Sequence, residues 1–262
     1  MTKEIKDLLE KIKDSDIFDR HPLYFIGGTA LSFYLDHRVS YDIDIVSRGK
    51  LPISAIKAFA FQLKARQINE HSRAAAFRIN KGEDLENYHL KYMVDGIKLE
   101  FSYFDDELRK VILDTTDATS YSSESKLKIL PLEDIITLKA IALFGRQKSR
   151  DLFDMAIILE RNLITVEELE RIYSFKQAGD KTLEEYIDNF DPAEDDDGDD
   201  DSSLDFLSHQ EHYKTFTKLS QDERFYKAKE MFLEQYKSKL KNKLQEKQFE
   251  VKSSLKKKYK RK

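Results

Sequence analysis

One stretch limits the folds open to this chain more than any other: FIGGTALSFYLDHRVSYDIDIVS, residues 25–47. A short apolar run ends at Gly27 and Gly28, and a helical pattern follows. A second apolar run then carries Asp42 and Asp44 one residue apart. Strand side chains alternate between faces, so both aspartates point one way while Tyr41, Ile43 and Ile45 point the other and can pack on a helix. Neighbouring like charges on a mostly buried strand are unfavourable unless something positive binds them. A hard divalent cation held by carboxylate oxygens meets that need, and Mg²⁺ with substrate phosphates is the usual case. The glycines supply the other half. A Gly-Gly turn lets backbone N–H groups approach a phosphate, and the helix starting at Thr29 aims its positive end there. The competing reading, a tight turn and a surface strand facing water, gives no structural reason for having both aspartates.

Periodicity assigns the other elements. Residues 2–14 predict a helix with Ile5, Leu8, Leu9 and Ile12 on one face. Residues 23–26 and 41–47 predict strands. Between them lies a helix over 30–35, with the Thr29 hydroxyl placed to cap it. A helix is expected over 53–65 and strands over 74–80, 88–94 and 97–103, the last two joined by the hairpin signal Asp95–Gly96. A further strand over 126–130 is stopped by Pro131. After it the texture is helical, with helices over 132–144 and 150–160 and a third opened by the capping box of Thr165 and Glu168. Residues 222–262 read as a long basic helix with Phe225, Phe232, Tyr236, Leu240 and Leu244 as its apolar stripe. The fold class is α+β: a mixed sheet of α/β type followed by a helical domain. The expected divisions are a sheet domain over 1–130, a helical domain over 131–190, an acidic disordered linker over 191–203 and a basic helical segment over 204–262.

Composition enters through charge. The net charge of −4 conceals nine acids and no base in residues 191–205, against fifteen Lys/Arg and four Glu in residues 224–262. The acidic run cannot bury a core. The basic segment suits a polyanionic partner, RNA first, although a solvated charged helix satisfies the same pattern. No apolar run of about 18 residues exists to span a membrane, and the charged N-terminus is unlike a signal peptide. With no cysteine in the chain, the expected setting is the cytoplasm.

Two further groups bear on chemistry. In residues 97–103, Ile97, Leu99 and Phe101 face one side, while Lys98, Glu100 and Ser102 face the other. If this strand lies beside Asp42 and Asp44, Glu100 completes a carboxylate trio able to hold one or two metal ions; otherwise it is an ordinary solvent-facing Lys/Glu alternation. In the helical part, Lys139 lies near the boundary of an apolar face, ahead of Arg146, Lys148, Arg150 and Asp151. A lysine over a cleft can bind a triphosphate as a point charge, and Asp151 can orient it or accept bonds from a ribose. A helix–loop–helix with surface charges and an N-capping aspartate reads equally well there.

The set GGTAL (27–31), HRVSYDIDI (37–45), KLE (98–100) and Lys139 with Asp151 resembles the AbiEii/AbiGii-type nucleotidyltransferases of the DNA polymerase β-like superfamily, across roughly residues 20–160. The resemblance implies a mixed sheet with helices, a helical domain as the other wall of a cleft, and transfer of a nucleotidyl group from a nucleoside triphosphate with Mg²⁺, one or two ions. It implies Asp42, Asp44 and Glu100 as catalytic metal ligands, with glutamate where the family more often has aspartate. Gly27, Gly28, Thr29, Arg38, Ser40, Lys139 and Asp151 become the nucleotide-binding set. RNA, tRNA in particular, is the favoured acceptor, and an antitoxin protein is a possible partner. Transfer to a protein or small molecule, or a non-catalytic nucleotide- or RNA-binding protein, are the alternatives.

Overall fold

The computed structural model describes residues 1–176, 179–192, 204–206 and 211–259, with only the backbone over 211–214 and 246–259. The expected acidic linker therefore lies, from residue 193 on, outside the described residues. The chain divides into two compact units, Met1–Leu138 with Asp205–Lys214, and Lys139–Leu204 with Thr215–Lys262.

The first unit is built on a seven-stranded mixed sheet. It opens with α1 (Lys3–Ile12), whose Ile5, Leu8, Leu9 and Ile12 recur at helical spacing and are all buried. Thr2 caps it, accepting from the Ile5 N–H at 3.3 Å. Then follow α2 (Ile17–Arg20), β1 (Leu23–Ile26), α3 (Gly27–Leu35), β2 (Asp42–Ser47), α4 (Ile53–Gln62), β3 (Arg66–Ile68), α5 (His71–Lys81), β4 (His89–Val94), β5 (Ile97–Tyr103), α6 (Glu107–Thr115), β6 (Thr119–Ser120), β7 (Lys128–Ile129) and α7 (Leu132–Leu143), whose residues from Lys139 on belong to the second unit. The strand order is β3-β4-β5-β2-β1-β7-β6. At its centre β2 pairs parallel with β5 and antiparallel with β1.

The sheet has one apolar face. Ile43, Ile45, Leu99 and Phe101 are buried there, and α4 packs on them with Phe59 edge-on to Phe101, centroids 6.3 Å apart. The Asp95–Gly96 turn forms as expected, with both φ angles positive (51° and 84°), the geometry that matches hairpin twist.

Two expectations about this unit are corrected. Residues 74–80, read as a strand, lie in α5, which runs from His71 to Lys81 and ends at Gly82 with φ 72°. No side chain of α5 is buried, so this stretch has no face packed against a sheet. The Ala74–Ala76 triplet has strong helix propensity, and nothing on a sheet face opposes it. Thr29 does not cap a helix. The helix starts two residues earlier, at Gly27, and Thr29 is fully buried inside it with its hydroxyl donating to the Asp42 carbonyl oxygen. The short strands β3 and β6 show no clear apolar period and are not expected from the sequence; nor is α6, although Ile112 and Leu113 are buried on it.

In the second unit α8 (Ser149–Glu160) is buried along nearly its whole length, which leaves no polar face to meet water. It packs with α11 (Gln221–Tyr259). Between them in sequence lie α9 (Val166–Lys176), opened by the reciprocal Thr165–Glu168 capping box, and α10 (Leu183–Asp188). On α11, Phe225, Ala228, Phe232 and Tyr236 are buried. The expected stripe stops there: Leu240 is half-buried and Leu244 exposed.

Candidate nucleotidyl-transfer site

β1 is buried throughout and delivers the chain to Gly27, where φ is +81°, a conformation that L side chains rarely adopt. The close approach is as important as the angle. A Cβ at Gly27 would stand 1.8 Å from Asp44 Oδ2, and one at Gly28 would stand 2.8 Å from an Arg38 Nη and 3.0 Å from Ser40 Oγ. The two glycines thus lie against Asp44 on one side and against Arg38 and Ser40 on the other. Arg38 is buried and donates to the Val39 carbonyl at 2.9 Å. The loop that carries it is held by the Val39 N–H donating to Asp205 O at 2.8 Å and by the Tyr41 hydroxyl donating to Asp205 Oδ2 at 2.7 Å. Burial and that carboxylate push the Tyr41 phenol up to about 12.

The β2–β5 register sets Asp42 opposite Lys98 and Asp44 opposite Glu100. Parallel strands in register put paired residues on one face, so Asp42, Asp44 and Glu100 share the face opposite Ile43, Leu99 and Phe101. β4 extends it, with Lys91 opposite Glu100. Lys98 Nζ lies 4.0 Å from Asp42 Oδ2 and 3.8 Å from Glu100 Oε1. Lys91 Nζ lies 3.8 Å from Glu100 Oε1 and 2.9 Å from Glu70 Oε1, and His89 Nε2 lies 3.4 Å from Glu100 Oε2. Burial and the Asp44 charge beside it push the Glu100 carboxyl up to about 7, against the pull of Lys91 and Lys98. Glu70, although burial opposes its ionisation, is held below the usual carboxylate range by Lys91, Arg73 and His89.

The donor set suits a hard cation, since it is all carboxylate oxygen on the shared face. Among the described residues no three His, Asp or Glu side chains converge to enclose a metal ion. Mg²⁺ commonly takes one or two carboxylates and completes its shell with substrate phosphates and water. Asp42 and Asp44 would hold it.

Lys139 and Asp151 lie in the second unit, in a buried cluster of their own. Lys139 Nζ stands 2.9 Å from Asp151 Oδ1 and 2.8 Å from Asp154 Oδ2, and Arg146 Nε donates to Asp151 Oδ2 at 2.6 Å. Burial works against the Asp151 charge, but Arg146 and Lys139 outweigh it and hold the carboxyl far below its ordinary value. Asp154 and Arg146 in this cluster, and Glu70, His89 and Lys91 beside Glu100, were not picked out from the sequence. Lys91 was within reach: a two-residue turn at Asp95–Gly96 fixes the hairpin register that sets it opposite Glu100. Glu70 carries no such signal, because only the fold of α5 brings it there.

A mixed sheet carrying acids on adjacent central strands, beside a glycine turn that opens a helix, is the framework of a nucleotidyltransferase. The family described as "Nucleotidyl transferase AbiEii toxin, Type IV TA system" matches residues 8–246, and the chain belongs to it. It is therefore a nucleotidyltransferase of a toxin–antitoxin family. It is 27% identical over 176 residues to an uncharacterized protein of Aquifex aeolicus (strain VF5), a match that covers 67% of this chain and 75% of the other. The solved structure of JHP933 from Helicobacter pylori aligns over 95% of this chain and 99% of its own at 19% identity and a TM-score of 0.44. A second H. pylori structure aligns over 92% and 98% at 19% identity and a TM-score of 0.45. No helix among the described residues is long and apolar enough to cross a membrane.

Proposed function

We propose that this chain transfers a nucleoside monophosphate from a nucleoside triphosphate to a hydroxyl at the end of an RNA, with Mg²⁺. The observation that carries this reading is the register that brings Asp42, Asp44 and Glu100 onto one face, with Gly27 against Asp44. Bound at these acids, Mg²⁺ would supply charge neutralisation at the phosphates. The backbone at Gly27 and Gly28, with the start of α3, offers N–H groups to the triphosphate, and Arg38 and Ser40 border the same turn. The buried Thr29 hydroxyl bonds the Asp42 carbonyl and ties the helix start to the acidic strand, which would position both halves of the site.

RNA is favoured as acceptor by the lysine-rich α11, since phosphate contacts from Lys and Arg dominate such affinity and act without reading sequence. An antitoxin protein is the partner that the family reading brings with it. The test is incubation with each labelled nucleoside triphosphate, Mg²⁺ and total tRNA. Label enters RNA with the parent protein and falls at least about 100-fold with Asp44→Ala. Undiminished transfer by Asp44→Ala would overturn the assignment.

A further inference from the structure

A cavity of about 340 Å³ opens beside the carboxylate face, in the same unit, between β3, β4 and the start of α5. Gln67, Glu70, Asp84, Glu86, His89 and Lys91 are in its lining. Three of these, Glu70, His89 and Lys91, are the residues that touch Glu100 or its partners, so the cavity adjoins the acids without containing them.

Its place in the sheet is informative. Reading across β4-β5-β2-β1, the glycine turn follows β1, the acids lie on β2 and β5, and the cavity lies at β4 on the far side. Nucleotidyl transfer is an in-line displacement, with the attacking and leaving oxygens on opposite sides of the phosphorus. With the triphosphate at the glycines on the β1 side, a hydroxyl arriving from the β4 side would stand opposite the departing pyrophosphate. Glu70, Asp84 and Glu86 line the cavity, and each is ion-paired, with Lys91, Arg78 and Lys57 respectively, so the lining carries no large excess of either charge. Carboxylates and the Asn69 amide in such a lining can bond sugar hydroxyls and base N–H groups. The volume is at the small end of the roughly 300–1,000 Å³ of ligand pockets, and suits one nucleoside.

We infer that this cavity seats the terminal nucleoside of the acceptor and presents its hydroxyl to the nucleotidyl centre from the β4 side. The inference rests on the RNA reading above. In the step, the acceptor oxygen bonds to the α-phosphorus, the bond from that phosphorus to the bridging oxygen breaks, pyrophosphate departs and the hydroxyl proton passes to solvent.

Ala74, on α5 in the cavity lining, gives a test outside the proposed catalytic set. Ala74→Trp fills the space. The expected result is a rise of at least about tenfold in KM for the RNA found to accept label, with Kd for the Mg²⁺-triphosphate within about twofold of the parent. A crosslink from 4-thiouridine at the RNA 3′ end should map to residues 67–91 in the parent and disappear in the variant. Asn69→Ala, a smaller change in the lining, should move KM the same way by a lesser factor and covers the case in which the tryptophan disturbs folding. Unchanged KM in both variants, with the parent labelling RNA, would overturn the cavity assignment and leave the transferase intact. Loss of triphosphate affinity in folded Ala74→Trp would also overturn it, by giving the cavity to the donor. A parent protein that labels no RNA would instead overturn the RNA reading, and the cavity assignment with it.

Discussion

Replacing Gly27 by alanine separates the two demands made on that position. The first is conformational: φ is +81°, and holding an L residue there costs about 1–2 kcal/mol. The second is steric. The new Cβ would lie 1.8 Å from Asp44 Oδ2, while ordinary contact begins at 3.4 Å, so the carboxylate must withdraw by about 1.6 Å or the turn must shift as far. Asp44 is a side chain on a half-buried strand face and can rotate, so the fold should survive with little more than the conformational loss. Catalysis should not, because a displacement of about 1 Å in a reacting group is enough to cost about 100-fold. Urea unfolding followed by circular dichroism should therefore show Gly27→Ala less stable by about 1–2 kcal/mol. The rate of label transfer should fall about 100-fold or more under conditions where the protein is fully folded. A folded Gly27→Ala protein that transfers at the parent rate would refute the link between this turn and the placement of Asp44. Outright unfolding would refute the argument that the strain is local.

Three other outcomes follow from the same geometry. The Glu100 carboxyl titrates near 7 in the fold against an ordinary 4.5, so between those values the folded state holds a proton that the unfolded chain has released. In chelator-treated protein, stability should fall as pH rises from about 4.5 to about 7, by on the order of 3 kcal/mol, and Glu100→Gln should flatten that part of the profile in urea titrations. Asp154→Ala removes one of two buried carboxylates holding Lys139, and should destabilise by about 3–5 kcal/mol, read as a lowered urea midpoint with unchanged slope. On α11, Phe232→Ala should cost about 3–5 kcal/mol, because that ring is fully buried, while Leu244→Ala should stay within about 0.5 kcal/mol, its side chain being 53% exposed.

What could be read in the sequence was whatever a local period or a local turn determines. The hairpin of β4 and β5 follows from Asp95–Gly96 and from alternation, and that alternation places Glu100 on the polar side of its strand. That β5 lies beside β2 is a non-local fact, and alternation could state it only as a condition. Thr29 shows the limit at a helix start. Its hydroxyl suits a cap, but glycine allowed the helix to begin earlier, and the residue became a buried tie to Asp42. Residues 74–80 show the opposite error, where a pattern without burial was taken for a strand. On α11 the apolar spacing continues past Tyr236 while the burial does not. A stripe records which face could be covered, and only packing decides how far.

The two charge clusters also differ in a way that distance decides. Around Lys139 the contacts are 2.8 and 2.9 Å, and Arg146 closes on Asp151 at 2.6 Å, all within hydrogen-bond range. Such a cluster is held shut by its own charges, and loss of one member weakens the compensation of the buried charges that remain. Across the β2–β5 face, Lys98 stands 3.8 and 4.0 Å from its carboxylates, too far for hydrogen bonds, so it screens the acids without bonding to them at those contacts. The same comparison bears on Lys139, whose side chain is only 6% exposed, while that of Arg146 is 44% exposed. The guanidinium is therefore the part of this cluster open to solvent, while Lys139 is held inside by both carboxylates.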